Sequence, residues 1–95
     1  MGTTSPIKKN TKRRVAFLLS EPKANDVSLC GDFNNWSATA HPMKKDPKGV
    51  WKKTLVLTPA RYEYKFLVDG EWRNDPENDK TCPNYFGTQN NVINL

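Results

Sequence analysis

From residue 13 onward, apolar and polar positions alternate over short stretches that Gly, Pro, Asn or Asp cut off. A two-residue period is that of a strand with one buried face. Residues 14–19 (RVAFLL) place Val15, Phe17 and Leu19 on one side. Residues 26–31 (DVSLCG) turn Val27 and Leu29 inward, with Ser28 and Cys30 outward. In 50–57 (VWKKTLVL), Trp51, Leu55 and Leu57 share a face that Lys53 interrupts. The clearest strand is 61–68 (RYEYKFLV), which sets Tyr62, Tyr64, Phe66 and Val68 against Glu63, Lys65 and Leu67. Asp69-Gly70 follows, a hairpin turn in which both residues tolerate positive φ. Residues 71–73 begin the return strand and 91–95 form a last one. No helical period is sustained anywhere, and no internal repeat appears.

Six such strands predict an all-β fold, a sandwich of two antiparallel sheets with an immunoglobulin-like core. A chain of 95 residues fits one domain, expected over 13–95, behind a flexible basic tail at 1–12. Two long polar connections, 34–48 and 74–90, are conspicuous in so small a domain. Loops of that length carry function or move.

Composition changes the picture little: 36% hydrophobic, 26% charged and 11% aromatic residues describe a globular chain. The net charge of +5 resembles a nucleic-acid signal until it is mapped. Lys8, Lys9, Lys12, Arg13 and Arg14 supply five cations at the start, and the remainder holds ten basic and ten acidic residues. A short basic arm can touch phosphates or anionic lipid, but the run is short and lacks aromatics, and a solvated, disordered leader is the preferred reading. No apolar run approaches a membrane span and no signal-peptide core follows Met1, so the cytoplasm is the expected location. In that compartment Cys30 and Cys82 are expected as reduced thiols; one disulfide is the most they could form.

Enzymatic chemistry finds little footing. His41 is the sole histidine and stands in an Ala-His-Pro loop without a local nucleophile or orienting acid. No Cys/His spacing suggests a structural metal. Asp75, Glu77 and Asp79 could imitate a glycosidase carboxylate pair, yet their Pro- and Asn-rich loop reads as a turn with solvated charges. The chain is expected to catalyse nothing and to need no cofactor.

What stands out is a set of aromatic and amide residues in loops. Trp36 follows Asn34-Asn35 in a turn, where no period asks for burial. Trp72 comes two residues after the Asp69-Gly70 turn; it could cap the sandwich or lie open. A pyranose offers an apolar C–H face and a rim of hydroxyls. An indole matches the face, while amides and an ammonium match the rim. Lys65, opposite the Tyr62/Tyr64/Phe66 face, should point outward beside such a platform. Phe86-Gly87-Thr88-Gln89-Asn90-Asn91 adds a ring, a hydroxyl and three amides, a neutral set rich in hydrogen-bonding groups. The same asparagines also suit turns. Trp51, in register with Leu55 and Leu57, belongs to the core.

Three segments in order carry a resemblance: Gly31-Asp32-Phe33-Asn34-Asn35-Trp36-Ser37, Tyr64-Lys65-Phe66-Leu67-Val68-Asp69-Gly70-Glu71-Trp72 and Gly87-Thr88-Gln89-Asn90-Asn91. Together they resemble the glycogen-binding domain of the AMP-activated protein kinase β subunit. More widely they resemble carbohydrate-binding module family 48, which includes the amino-terminal domains of isoamylases, pullulanases and glycogen branching enzymes. The resemblance covers about residues 13–95 and implies an immunoglobulin-like (early-set) β-sandwich that binds α-1,4-glucan. It implies that Trp36 and Trp72 flank the glucan, that Lys65 bonds sugar hydroxyls, and that Thr88 and Asn90 do the same. Phe86 stands where the family has a Leu that pushes against the curved glucan. Phe could widen the stacking surface or crowd the chain. The implied protein is a monomer, either an adaptor or sensor of stored polysaccharide or a module of a larger glucan-active enzyme. From the charge distribution and hydropathy no membrane partner is expected, and nucleic-acid binding through the basic arm is the less favoured option. The rival reading is a protein-interaction module of the same fold with a vestigial sugar site.

The cysteines give the first test. Thiol counting under denaturing, non-reducing conditions should find two reactive thiols per chain. A count of zero on a monomer would establish a disulfide and remove the basis for a reducing compartment.

Overall fold

In the computed structural model, which describes residues 11–95, the chain forms eight strands. They are β1 (Arg13–Ser20), β2 (Val27–Gly31), β3 (Lys44–Lys45), β4 (Val50–Leu57), β5 (Arg61–Val68), β6 (Glu71–Arg73), β7 (Thr81–Pro83) and β8 (Gln89–Asn94). Most of the leader expected at 1–12 lies outside the described residues, and β1 starts at Arg13. No helix among the described residues is long and apolar enough to cross a membrane.

The strands form two antiparallel sheets. One has the order β1-β4-β3; the other runs β2-β5-β8-β7, with β6 also paired to β5. Phe17 and Leu19 of β1 and Trp51, Leu55 and Leu57 of β4 face Val27, Leu29, Tyr64, Phe66 and Val68 from the other sheet, in one buried cluster. The Phe17 ring meets Tyr64 edge to face, with centroids 5.0 Å apart. Trp51 is buried, and its indole N–H donates to the Glu21 carbonyl at 2.9 Å. The Asp69-Gly70 turn has φ of 49° and 85°, a combination open to glycine and cheap for Asp. The Asp69 carboxylate accepts from the backbone N–H of Asn25 and Asp26, tying this hairpin to the β1–β2 connection.

Two expectations need correction. Ser28 and Cys30 do alternate away from Val27 and Leu29, yet both are buried. The connection after β2 folds back over them: Pro42 bridges to Ser28, and the Cys30 thiol lies 3.2 Å from the Ser37 carbonyl. Burial there pushes the Cys30 thiol pKa up. The connections 34–48 and 74–90 are also less irregular than their composition suggests, since they contain β3 and β7.

The 74–80 segment is fastened by amides. Asn91, fully buried, accepts from the Asp75 backbone N–H (2.7 Å) and the Asn74 amide (3.0 Å), and donates to the Asn78 carbonyl (2.9 Å). Tyr64, whose ring is in the core, donates its hydroxyl to Asp75 at 2.7 Å and accepts from Asn78 at 3.1 Å. Burial raises the Tyr64 phenol above its usual range. Asp75 is therefore a structural acceptor rather than the solvated charge its loop suggests.

Removing the Trp51 ring should leave a cavity and orphan the Glu21 contact. Trp51→Ala is expected to lower stability by about 3–5 kcal/mol. Val56→Ala, on the same strand but 57% exposed, should change it by less than about 0.5 kcal/mol. Urea melts of the two variants beside the parent check the contrast; equal losses would remove Trp51 from the core.

Candidate functional site

The outer face of β5 carries Glu63 and Lys65, and three pieces of chain rise around them: the turn after β2, β6, and the β7–β8 hairpin. They enclose an open cleft of about 1150 Å³. All six residues singled out in the sequence, Trp36, Lys65, Trp72, Phe86, Thr88 and Asn90, line it.

The Trp36 wall begins at Gly31. A Cβ there would sit 2.6 Å from the Glu63 carbonyl oxygen and 2.7 Å from the Phe33 ring, so only glycine allows β2 to pass this close. A 3-10 turn (Asp32–Asn34) follows, and then Asn35 and Trp36 both adopt left-handed backbone, at φ 55° and 58°. Asn tolerates that conformation; for Trp it is strained and needs the surroundings to hold it. Two contacts do so: the Trp36 backbone N–H donates to the Gly31 carbonyl at 2.9 Å, and its indole N–H to the Asp32 carboxylate at 3.0 Å. The ring therefore offers a ligand its face, with its one donor already engaged. Asn34 anchors the turn, accepting from the Gly31 N–H and donating to the Leu29 carbonyl and to His41 Nδ1. Burial and the nearby Lys53 both lower the His41 pKa, consistent with a neutral ring that accepts at Nδ1.

Trp72, on β6, is 49% exposed and so does not cap the sandwich. Its ring centroid lies 6.2 Å from that of Trp36, with the planes at 70°. The two indoles make a corner.

Lys65 corrects an expectation. It does project to the outer face, yet it is buried, 6% exposed, beneath the β7–β8 hairpin. Its ammonium donates to the Thr88 hydroxyl at 3.3 Å. From there a chain of contacts crosses the cleft floor. The Asn84 amide donates to Thr88 (2.8 Å) and to Asn90 (2.9 Å), Asn90 donates to Glu63 (3.0 Å), and Arg61 pairs with Glu63 (2.8 Å). Asn90 and then Arg61 hold the Glu63 carboxyl below its usual range. Asn84 also accepts from the Phe86 and Thr88 N–H groups and so shapes the hairpin tip, where Tyr85 and Phe86 are almost fully exposed.

Sequence reading left out five of these participants: Asp32, Glu63, Asn74, Asn84 and Tyr85, all of which line the cleft. The Asn-x-x-Gly spacing of 84–87 was a visible turn signal, since Asn favours the first and Gly the fourth turn position. The site is also less neutral than the loop composition implied. Both carboxylates are committed, Asp32 to the Trp36 indole and the Glu63 backbone N–H, Glu63 to Asn90 and Arg61. Of the three amides expected on the hairpin, Asn91 points into the fold and takes no part. The described residues hold no group of His, Cys, Asp and Glu able to bind a metal.

Several known proteins are similar to this chain in sequence. It is 35% identical to rice Protein FLOURY ENDOSPERM 6, chloroplastic, over 86% of this chain and 15% of that protein. It is 44% identical to Arabidopsis Protein PTST homolog 2, chloroplastic, over 66% of this chain and 12% of that one. With pig 5'-AMP-activated protein kinase subunit beta-1 it shares 37% identity over 74% of this chain and 54% of the relative. The chain thus spans about half or much less of these relatives. Residues 16–95 match the family described as the glycogen recognition site of AMP-activated protein kinase, and the chain belongs to that family.

Proposed function

We propose that the domain at 13–95 binds α-1,4-glucan without catalysis, as an adaptor or sensor or as a module of a glucan-active enzyme. One geometric fact supports this reading most: two indoles, one from the turn after β2 and one from β6, meet at 70° over a floor of hydroxyl, amide and ammonium groups. A β-1,4-glucan is a flat ribbon and meets one ring of such a corner. An α-1,4 chain curves, so successive glucose units can reach both. Thr88, Asn90 and Lys65 supply the hydroxyl partners, and Phe86, 88% exposed at the rim, extends the apolar wall. Glu63 is a poor candidate for a glycosidase acid, because its neighbours favour the ionised form. Cys30 and Cys82 are unbonded, as a reducing compartment requires, and the cytoplasm is our reading. A single chain should suffice, since every group named lines one cleft of one chain.

Two experiments test this. Stacking and neutral hydrogen bonds are weakly screened, so β-cyclodextrin or maltoheptaose should bind with little salt dependence while cellulose does not. Equal retention on starch and cellulose would remove the corner from the explanation.

Trp36→Ala and Trp72→Ala should each weaken glucan binding about tenfold, from an aromatic contact of about 1–1.5 kcal/mol. Trp72→Ala should leave the melting point nearly unchanged, as its ring is half in solvent. Calorimetric titration beside thermal melts reads both quantities. Wild-type affinity in a folded Trp72→Ala protein would favour the protein-interaction reading instead.

A further inference from the structure

On the opposite sheet, charge is distributed one way. Its strands carry Arg13, Arg14, Lys44, Lys45, Lys52 and Lys53 and no carboxylate. Lys44 and Lys52 are direct cross-strand partners, a like-charge pairing that works against folding. The three ion pairs among the described residues all use Arg61 or Arg73, so none relieves this sheet. Residues 1–10 contain Lys8 and Lys9 and no acid, so they do not complement it either.

Among the described residues, backbone pairing is incomplete at the same place. β4 is eight residues long and pairs with β1 throughout, but β3 covers it only at Trp51 and Lys52. The residues before β3 cannot extend that strand, because they cross to the other sheet. The Met43 N–H donates to the Val27 carbonyl, and the His41 carbonyl accepts from the Leu29 N–H. Among the described residues, no strand continues the line of β3 beside 53–57. A groove of about 470 Å³ occupies that position, lined by Pro42, Thr54 and the four lysines 44, 45, 52 and 53. Asp46 also lines it, but its carboxylate is turned into the hairpin, accepting from the Lys48 and Val50 N–H groups. The nearby outward side chain of β4, Val56, is 57% exposed.

We propose that this groove receives an extended acidic segment of a partner protein, which prolongs the line of β3 along β4. Main-chain bonding to the open edge supplies affinity, and the lysines select carboxylates. Alternating acidic and apolar side chains suit the edge, because Lys44 and Lys52 mark its outward face and Leu55 and Leu57 its inward one. Single-stranded nucleic acid fits less well: the groove has no exposed aromatic ring on which bases stack. A second copy would bring the same lysines together and repel.

The test uses the whole chain, labelled with nitrogen-15. A short capped peptide alternating glutamate and valine should shift amide resonances at 43–46 and 52–56 and leave those of Trp72 and Thr88 in place. Its affinity should fall with added salt. In the Lys44→Glu/Lys52→Glu double variant it should drop by about tenfold or more, with β-cyclodextrin binding retained as the check on folding. Absent shifts, shifts elsewhere, or unchanged affinity in the folded double variant would overturn the proposal. So would tighter binding of a single-stranded DNA or of phosphatidylserine–phosphatidylcholine vesicles, or self-association that occupies the groove.

Discussion

Side-chain alternation along β5 is the constraint on which the rest of the molecule depends. Tyr64, Phe66 and Val68 point into the core, and Phe17 packs on Tyr64 from the facing sheet. A slip of one residue would put those rings in water and Lys65 in the core, so burial fixes the register. Glu63 and Lys65 then stand on the outer face with no freedom of their own. The site floor is placed by the same energy that holds the sandwich together. Tyr64 adds a second function, since its hydroxyl reaches past the core to Asp75 and Asn78 and secures the 74–80 segment.

What surrounds β5 is held by amides. Asn34, Asn84 and Asn91 each make at least three hydrogen bonds to neighbouring chain, and each organises a different connection. Ordering a long loop opposes folding by about 1–2 kcal/mol per residue in backbone entropy. Bonds to several backbone groups from one short side chain offset part of this locally. The consequence is a cleft whose polar floor is formed in advance, so a ligand need order little beyond the ring tips. Trp36 shows the opposite trade: its left-handed backbone stores strain that two hydrogen bonds restrain, and its half-buried ring is held in the cleft wall.

The five longer strands were legible from their alternation, and the three-residue β6 from the Asp69-Gly70 turn before it. β3 and β7 were not, and their residues explain why. Lys44-Lys45 offers no apolar position, while Thr81–Pro83 contains a proline that argues against a strand unless it lies at a sheet edge, where β7 does lie. The burial of Ser28 and Cys30 was hidden for another reason. It depends on a loop returning over β2, and alternation reports which face a residue takes, not what later covers that face. Lys65 failed in the same way. For the cleft, periodicity left Trp72 undecided and gave no means of gathering 36, 72 and 88 at one place. The resemblance did that grouping, while Asp32, Glu63 and Asn84, which position other side chains, carried no signal separable from ordinary turn and strand residues.

The two outer faces of the sandwich differ in kind. On the five-stranded sheet the carboxylates are engaged by indole, amide and guanidinium groups, leaving ring faces and hydroxyls to present outward. On the three-stranded sheet the cations have no intrachain acid among the described residues to answer them. Sheets pack about 10 Å apart, and the core between them is apolar. Ions separated by that distance or more at the surface are largely screened at physiological salt. The two proposed sites lie on different sheets, so the proposed glucan and the proposed acidic partner, sensitive to different solution conditions, would not compete for the same surface.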